Sequence, residues 1–460
     1  MRLKLLPLAV AMAICPMLAH GEDLLDAYRQ ARANDPVLAQ AEAQRLSTGE
    51  AVPIARSQLL PQIDGSLSLN QSSGQRGGTY QDNSGAIVPI PSIGHIRQRQ
   101  LSANLSQTVL DFSKFANLKA AHSQVDSQEA QYQAELQNLI VRVAQAYFDV
   151  LTAEDELDFA KSNEQALARE LDQAQERFNV GLSAITDVQD AKARHDSATA
   201  QVITAENSLD DFREALTQIT GKPVGELDKL RDTLPMDPPQ PNDQATWVRT
   251  ALQTNPTILA QQFNVEAAEH NISSARAGHL PTISAGVSYG KGAAWGEYGN
   301  YHNRSPGSTT VGLTLNVPIF SGGYTHAVVK QSIYDRDSAA DALEQQRRQV
   351  IRDTRGAFRS VIAGISEVEA TKAAVTSSQS AVDANQAGFE VGTRTIVDVL
   401  NAQQALTQAR SQYSQARHQF ILNKLLLEQA AGSIDIQDLE AVNALLQEPS
   451  TVPASAQPTP

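Results

Sequence analysis

The chain has 460 residues, with 37 basic and 51 acidic side chains and a formal net charge of −14. This length allows about two to four domains. The acidic balance argues against nucleic acid as a partner, because phosphate binding requires clustered lysine and arginine. After residue 20 the sequence has no run of about 18 apolar side chains, which excludes a bundle of membrane-spanning helices.

The first 21 residues have the pattern of a secretory signal peptide. Arg2 and Lys4 precede an apolar run from Leu5 to Leu18, and the small residues Ala19 and Gly21, at the −3 and −1 positions, predict cleavage after residue 21. Cys15 does not follow a small residue, as a lipid-attachment cysteine would, so we assign it to the removed segment. The mature chain then has no cysteine and no disulfide framework.

Two motifs occur twice in the chain, which indicates an internal repeat. A proline that opens a helical pattern precedes the proline of a Leu-Pro-x-Ile motif by 25 residues in both halves, at Pro36 and Pro61 and again at Pro256 and Pro281. A Phe-x-Val-Gly motif followed by Asp-Val also occurs in each half, at 178–181 and 389–392. Two copies of both motifs in the same order are difficult to obtain by chance.

These motifs define the predicted domains. The first repeat covers residues 22–221 and the second covers residues 245–432. The segment between them, 222–244, is rich in proline and aspartate and is predicted to be a linker. Residues 433–460 form a C-terminal segment whose Pro-, Ser-, Thr- and Ala-rich end is predicted to be disordered.

Each repeat has the same order of predicted elements. A helix of about 25 residues ends before Pro61 or Pro281, because the residue before a proline disfavours the α conformation. Two strand segments follow. From Ser113 to Arg177 the first repeat then has no proline or glycine, which predicts a helix close to 100 Å long that packs on other helices as a coiled coil. Gly181 and its counterpart in the second repeat are predicted to cap this helix where the chain reverses.

The strand segments show apolar and polar residues in strict alternation. They begin near Ile63, Leu101, Ile283 and Val311. Runs of about ten residues with this period are typical of membrane β-barrels. Four strands cannot close a barrel, because about eight are needed, and an open sheet edge cannot face lipid. The barrel must therefore be shared between subunits, with eight strands from two copies or twelve from three.

Two segments carry a specific resemblance to a known family. They are Arg177-Phe-Asn-Val-Gly-Leu-Ser-Ala-Ile-Thr-Asp-Val-Gln189 and Val391-Gly-Thr-Arg-Thr-Ile-Val-Asp-Val-Leu400. They resemble the TolC family of outer-membrane efflux channels, and the resemblance covers essentially the whole mature chain. It implies a mainly α-helical homotrimer with membrane β-structure. In this fold a 12-stranded barrel, with four strands from each chain, continues into a long periplasmic α-helical barrel, and the linker and C-terminal segment form an equatorial belt.

The resemblance also implies a function without chemistry of its own. The chain would be the exit duct of a tripartite export system in the outer membrane of a Gram-negative bacterium, passing drugs, other small molecules or secreted proteins. Its partners would be a periplasmic adaptor, an inner-membrane RND or ABC pump and outer-membrane lipid. A rival interpretation is a periplasmic coiled-coil adaptor or scaffold without a pore, in which the four strand segments would be surface hairpins.

The family closes its periplasmic end at the second Val-Gly turn. Carried over by position, Asp398 and Asn401 would form the pore gate, although the family has an aspartate where this chain has Asn401. The closure network would contain Phe389, where the family has a tyrosine, and Arg394, which would link to the first turn. Its partners there would be Thr186 and Asp187. The adaptor would dock on the tips of the two turns, at Val180, Gly181, Leu182, Val391, Gly392 and Thr393.

Two other motifs do not point to chemistry. Gly286-x-Ser288-x-Gly290 fits the nucleophile pattern of hydrolases, but that pattern requires a strand-to-helix turn, and here it lies inside an alternating strand. The nine histidines have no spacing typical of paired metal ligands. We therefore expect no catalysis, no metal site and no cofactor.

Overall fold

A computed structural model describes residues 22–73, 78–90, 95–296, 302–304 and 306–447 of the chain. The predicted signal peptide and the predicted tail from residue 448 onwards lie outside the described residues.

Most of the described chain is helical. Its helices are α1 (Leu24–Asn34), α2 (Pro36–Gly49), α3 (Ala51–Ser57), α4 (Phe112–Asn179), α5 (Ile185–Thr220), α6 (Gln244–Thr254), α7 (Pro256–Ala277), α8 (Tyr324–Glu390), α9 (Ile396–Ala431) and α10 (Ile436–Asn443). In the described ranges, none of these helices has a stretch long and apolar enough to cross a membrane.

The strands are fewer, and four of them are long. They are β1 (Gln62–Ser73), β2 (Gly78–Gln81), β3 (Ile87–Ile90), β4 (His95–Leu110), β5 (Lys229–Leu230), β6 (Thr282–Gly296), β7 (His302–Arg304), β8 (Ser308–Asn316) and β9 (Leu446–Gln447). The four predicted strand segments are thus β1, β4, β6 and β8. Ser288 lies inside β6, opposite Asn104 of β4 and Thr310 of β8, so the hydrolase-like motif is not at a strand-to-helix turn.

The chain divides into two compact units that do not follow the two halves of the sequence. Among the described residues, the first unit comprises 22–39, 135–253 and 350–447, and the second comprises those within 40–134 and 254–349. Each unit therefore contains residues from both halves, and the long helices α4 and α8 contribute residues to both.

The second unit contains the main sheet, in which all neighbouring strands are antiparallel. The order is β1-β4-β6-β8, and β7 adds a short pairing to the end of β6. The central pair, β4 and β6, joins the two halves of the sequence, from Ile96 opposite Gly296 to Leu110 opposite Ile283. β2 and β3 form a separate hairpin.

The two faces of this sheet differ in polarity. One face carries apolar side chains that the chain leaves exposed: Ile63 is 77% exposed and Val311 is 74% exposed. The other face is polar. There Ser66 and Ser102 are hydrogen-bonded with their oxygens 2.7 Å apart, and Asn104 Nδ2 donates to Asp64 Oδ2 at 3.0 Å. The alternation read from the sequence therefore separates an apolar face from a polar one.

The helices before the sheet begin with matching caps in both halves. Asp35 Oδ2 accepts a hydrogen bond from the Leu38 N–H at the start of α2, and Asn255 Oδ1 accepts one from the Thr257 N–H at the start of α7. α7 has 22 residues, close to the predicted 25. In the first half the predicted single helix is instead divided into α2 and α3, because Gly49 and the following Pro53 disfavour a continuous helix.

In the first unit, a buried tyrosine holds the linker segment. Tyr147 of α4 is fully buried, and its hydroxyl donates to the carbonyl oxygen of Asp228 at 2.9 Å and to that of Glu22 at 3.1 Å. Burial raises the pKa of this phenol above its ordinary value, so it is a neutral donor at physiological pH. The adjacent β5 pairs with β9, which joins the linker to the C-terminal segment.

Candidate closure site at the two helix turns

Two tight turns in the first unit connect α4 to α5 and α8 to α9. Both depend on a glycine with positive φ, +77° at Gly181 and +78° at Gly392, as predicted for a helix C-cap. In the first turn the N–H of Leu182 donates to the carbonyl of Arg177 at 2.8 Å, which satisfies a terminal carbonyl of α4. The second turn repeats this arrangement between the N–H of Thr393 and the carbonyl of Gly388, also at 2.8 Å.

Both turns leave apolar side chains in contact with solvent. Val180, Leu182 and Val391 are each about 70% exposed, and Thr393 is exposed as well. Because burying apolar surface stabilises association, exposed aliphatic side chains beside a rigid glycine turn are suited to contact another protein. Docking of an adaptor on these tips stays a prediction.

Asp398 has a local role at the start of α9. Its Oδ2 accepts hydrogen bonds from the N–H of Thr395 at 3.0 Å and from the Thr395 hydroxyl at 2.9 Å. Its own N–H donates to the Thr395 hydroxyl oxygen at 3.3 Å, which completes a capping box. The Thr395 N–H and hydroxyl stabilise the charged carboxylate and lower the pKa of Asp398 below its ordinary value. A capped carboxylate at this position is therefore ionised throughout the physiological pH range.

Asn401, one turn further along α9, is paired with an arginine from the first half of the chain. Arg194 of α5 donates from Nη2 to Asn401 Oδ1 at 3.0 Å and from Nη1 to Gln404 Oε1 at 2.7 Å. The predicted gate residues Asp398 and Asn401 thus lie on the same helix, but they have different partners.

Phe389 belongs to a small core beneath the second turn. It is 9% exposed and packs with Leu167 of α4, Ala198 of α5 and three apolar residues of α9, which are Ile396, Val399 and Leu400. The guanidinium of Arg177 lies over its ring. The contact between Arg177 and Phe389 therefore joins the ends of α4 and α8.

Arg394 differs from Arg177, because its side chain has no aromatic or ion-pair partner among the described residues. Its backbone N–H donates to the carbonyl of Gly388 at 3.1 Å, and its side chain packs against Gly388, where an added Cβ would lie 2.6 Å from Arg394 Cγ. Within the described residues of one chain, the Arg394 guanidinium forms no hydrogen bond or ion pair with Thr186 or Asp187. Those two residues lie in the first turn of α5.

The sequence interpretation missed three residues of this site: Arg177, Arg194 and Gln404. Arg177 lies in the Phe-x-Val-Gly segment itself, directly before Phe178. Arg194 is seven residues after Asp187, so helical periodicity alone places both on one face of α5. In the described part of the chain, no cluster of three or more His, Cys, Asp or Glu side chains could hold a metal ion.

Comparison with known proteins agrees with this architecture. The chain matches the family model of outer membrane efflux proteins over residues 27–222 and 247–433. It is 37% identical to the outer membrane protein TolC of Escherichia coli strain K12, over 99% of this chain and 92% of that protein. It is 26% identical to the alkaline protease secretion protein AprF of Pseudomonas aeruginosa, over 92% of this chain and 86% of that protein.

Solved structures show the same fold at lower sequence identity. The outer membrane channel CmeC of Campylobacter jejuni superposes with a TM-score of 0.73 at 18% identity, over 93% of this chain and 90% of that chain. The protein is therefore of the class of outer-membrane exit ducts. The chain belongs to the outer membrane efflux protein family.

Proposed function

We propose that three copies of this chain share a 12-stranded barrel in the outer membrane, with β1, β4, β6 and β8 from each copy, and that the barrel continues into a helical barrel across the periplasm. The observation that supports this most directly is the sheet of the second unit. In the described residues, β1 pairs only with β4, and β8 pairs only with β6 and no other strand. Both outer edges are thus available to a neighbouring copy.

The polarity of the sheet supports the same arrangement. An exposed apolar face on long strands suits lipid, while the opposite face, with Ser66, Ser102 and Asn104, suits a water-filled lumen. Pairing β1 of one copy with β8 of the next would satisfy both open edges, as a barrel in lipid requires. Three copies give a lumen wide enough for transport, whereas eight strands would fill theirs with side chains.

We further propose that the chain is organised as two repeats, 22–221 and 245–432, with 222–244 and 433–460 as the equatorial segments. The matching caps of α2 and α7 and the matching glycine turns support this division. The turns would close the periplasmic end, and their exposed tips would receive a periplasmic adaptor that connects the duct to an inner-membrane RND or ABC pump. Arg394 would then find Thr186 and Asp187 on a neighbouring copy.

The mass of the mature protein in detergent tests the assembly. We expect three chains, and channels in a planar bilayer. A stable monomer or dimer that forms channels of native conductance in the bilayer would contradict the proposal. A monomer that needs no detergent would instead fit a periplasmic scaffold.

The relatives are named for different cargoes, and two of them are protease secretion proteins, AprF and PrtF. Deleting the gene and comparing drug susceptibility with the profile of secreted proteins tests which export the duct serves. Increased susceptibility with unchanged secretion would indicate drug efflux, and the reverse would indicate protein secretion.

A further inference from the structure

Arg194 joins helix α5 to helix α9 close to the two turns. Arg194 is nine residues into α5, and Asn401 is five residues into α9. The two terminal nitrogens of Arg194 donate to Asn401 and Gln404, which are three residues apart and therefore adjacent on one face of α9. Any movement that separates α5 from α9 at this level must break both hydrogen bonds.

The charge of this pairing is unusual. A guanidinium remains protonated under all physiological conditions, yet both of its acceptors here are neutral amide oxygens. Within the described residues, no carboxylate forms an ion pair with Arg194. The guanidinium charge of Arg194 is therefore held beside position 401 by neutral acceptors. Position 401 itself lies on α9, one turn from Asp398.

We infer that Arg194 is a positioning residue for closure of this duct. It also determines how strongly a charge at position 401 affects the block of current by cations. This inference rests on the proposed gate. The two hydrogen bonds from the Arg194 guanidinium hold α5 against α9 in the closed state. The positive charge of the guanidinium offsets any negative charge placed at position 401. Sequence reasoning alone predicts that Asn401→Asp adds a second ring of carboxylates to the gate. In this structure the new carboxylate would instead form an ion pair with Arg194, and it would tighten the helix contact without adding a binding site for cations.

A purely structural contact between helices would behave differently. It would affect stability, but it would not couple the charge at position 401 to the block of current by cations. The test is therefore a four-protein comparison in planar bilayers: the wild-type chain, Arg194→Met, Asn401→Asp and the double variant. Lys192→Met is the matched control, because it removes a nearby positive charge from an exposed side chain of α5 and keeps the hydrogen bonds of Arg194 to Asn401 and Gln404.

Two measurements are made on each protein: the single-channel conductance and the concentration of Mg²⁺ that blocks half the current from the periplasmic side. We expect Arg194→Met to raise conductance at least about twofold, and Lys192→Met to leave it unchanged. Asn401→Asp alone should change the blocking concentration less than about twofold. In the Arg194→Met background, the same substitution should lower that concentration about tenfold, because three uncompensated carboxylates then attract the divalent ion.

Two results would overturn the inference. One is a conductance of Arg194→Met equal to that of the wild type, and the other is an equal effect of Asn401→Asp in both backgrounds. Far-UV circular dichroism and the trimer band on a gel verify that each variant is folded. A wild-type protein that forms no channel would contradict the proposed function itself, so the two failures are distinguishable. Arg194→Lys adds a further check, because it keeps the positive charge but cannot donate from two nitrogens at once. Its conductance should lie between those of the wild type and Arg194→Met.

Discussion

The guanidinium carbon of Arg177 lies 4.8 Å from the centre of the Phe389 ring. Arg177 is near the end of α4 and Phe389 is near the end of α8, so this cation–π contact joins the two helices just before their turns. The Nε of Arg177 is buried and has no hydrogen-bond partner among the described residues. The ring face is therefore a principal partner of this arginine, and Phe389 contributes to the site without a hydroxyl.

The first prediction is that Phe389→Leu opens the channel. The substitution removes the cation–π contact, which contributes about 0.5–1 kcal/mol, while it keeps an apolar side chain in the small core. This energy corresponds to roughly a two- to fivefold shift per chain toward the open state, measured as increased conductance in a planar bilayer. Phe389→Tyr is the control, because it keeps an aromatic face and should not raise conductance.

Arg177→Gln provides an independent check of the same contact. It removes the cation and leaves the ring in place, so it should raise conductance as Phe389→Leu does. The double variant should resemble either single variant, because both changes remove one interaction. Additive increases would show that the contact does not hold the two helices together.

Much of the fold follows from local sequence patterns. Period-two alternation predicted β1, β4, β6 and β8, because each has one apolar and one polar face. The absence of glycine and proline predicted α4 to within two residues of its observed ends, Phe112 and Asn179. The pairing of β4 with β6 was not predictable in this way, because it joins segments about 190 residues apart, and alternation does not specify a partner strand.

The site was predicted less completely. Glycine turns are local features, so Gly181 and Gly392 were identified from the motif alone. Asp398 was identified by resemblance, but its capping box with Thr395 could have been read from the Thr-x-x-Asp spacing. The contacts of Arg177 and Arg194 join residues more than 200 positions apart. Long arginine side chains reach many acceptors, so only the packing of α4, α5, α8 and α9 determines which one they contact.

The second prediction concerns Arg394. Since it has no ion-pair partner within the described chain, we expect it to bind Thr186 and Asp187 of an adjacent copy. Arg394→Ala should therefore raise single-channel conductance, and Asp187→Ala should raise it by a similar factor. If the two residues act together, the double variant should conduct no more than the single ones. Unchanged conductance of a folded Arg394→Ala trimer would exclude it as a latch.

The third prediction is a pH dependence of stability from His418. This residue of α9 is 5% exposed, its Nδ1 lies 2.8 Å from the Thr152 hydroxyl, and its ring stacks on Phe148. Burial and the nearby Arg417 charge lower the pKa of His418 to about 3. The unfolded chain, with an ordinary pKa near 6.5, binds the proton that the folded chain excludes. The contribution of neutral His418 to the free energy of unfolding is therefore complete above pH 6.5 and is lost as pH falls toward 3.

The measurement compares the wild-type chain with His418→Gln, which cannot gain a proton. Between pH 7 and pH 5, the free energy of unfolding of the wild type should fall by roughly 2 kcal/mol per chain more than that of the variant. Burial raises the pKa of the neighbouring Asp155, which acts in the opposite direction, but it is present in both proteins and cancels in the difference. Parallel pH profiles would show that His418 accepts its proton in the folded state.

The last prediction concerns the charge of Asp398. The variant is Asp398→Gln, which removes the charge and keeps an amide oxygen as an acceptor, because glutamine also closes a capping box from this position. In a trimer this change removes one ring of three carboxylates while it keeps the start of α9. We expect block of the current by Mg²⁺ to weaken by about tenfold or more. Thr395→Val, which weakens the cap and keeps the charge, should retain the block.

The hydrogen bonds from Thr395 lower the pKa of Asp398, so its charge persists as the solution is acidified. Block by Mg²⁺ in the wild type should therefore be the same at pH 7 and pH 5, since both lie well above the pKa of this carboxyl group. Equal block by Mg²⁺ in the wild type and Asp398→Gln would show that this carboxylate does not line the narrow end. A block that weakens between pH 7 and pH 5 would instead assign cation binding to a group with a higher pKa.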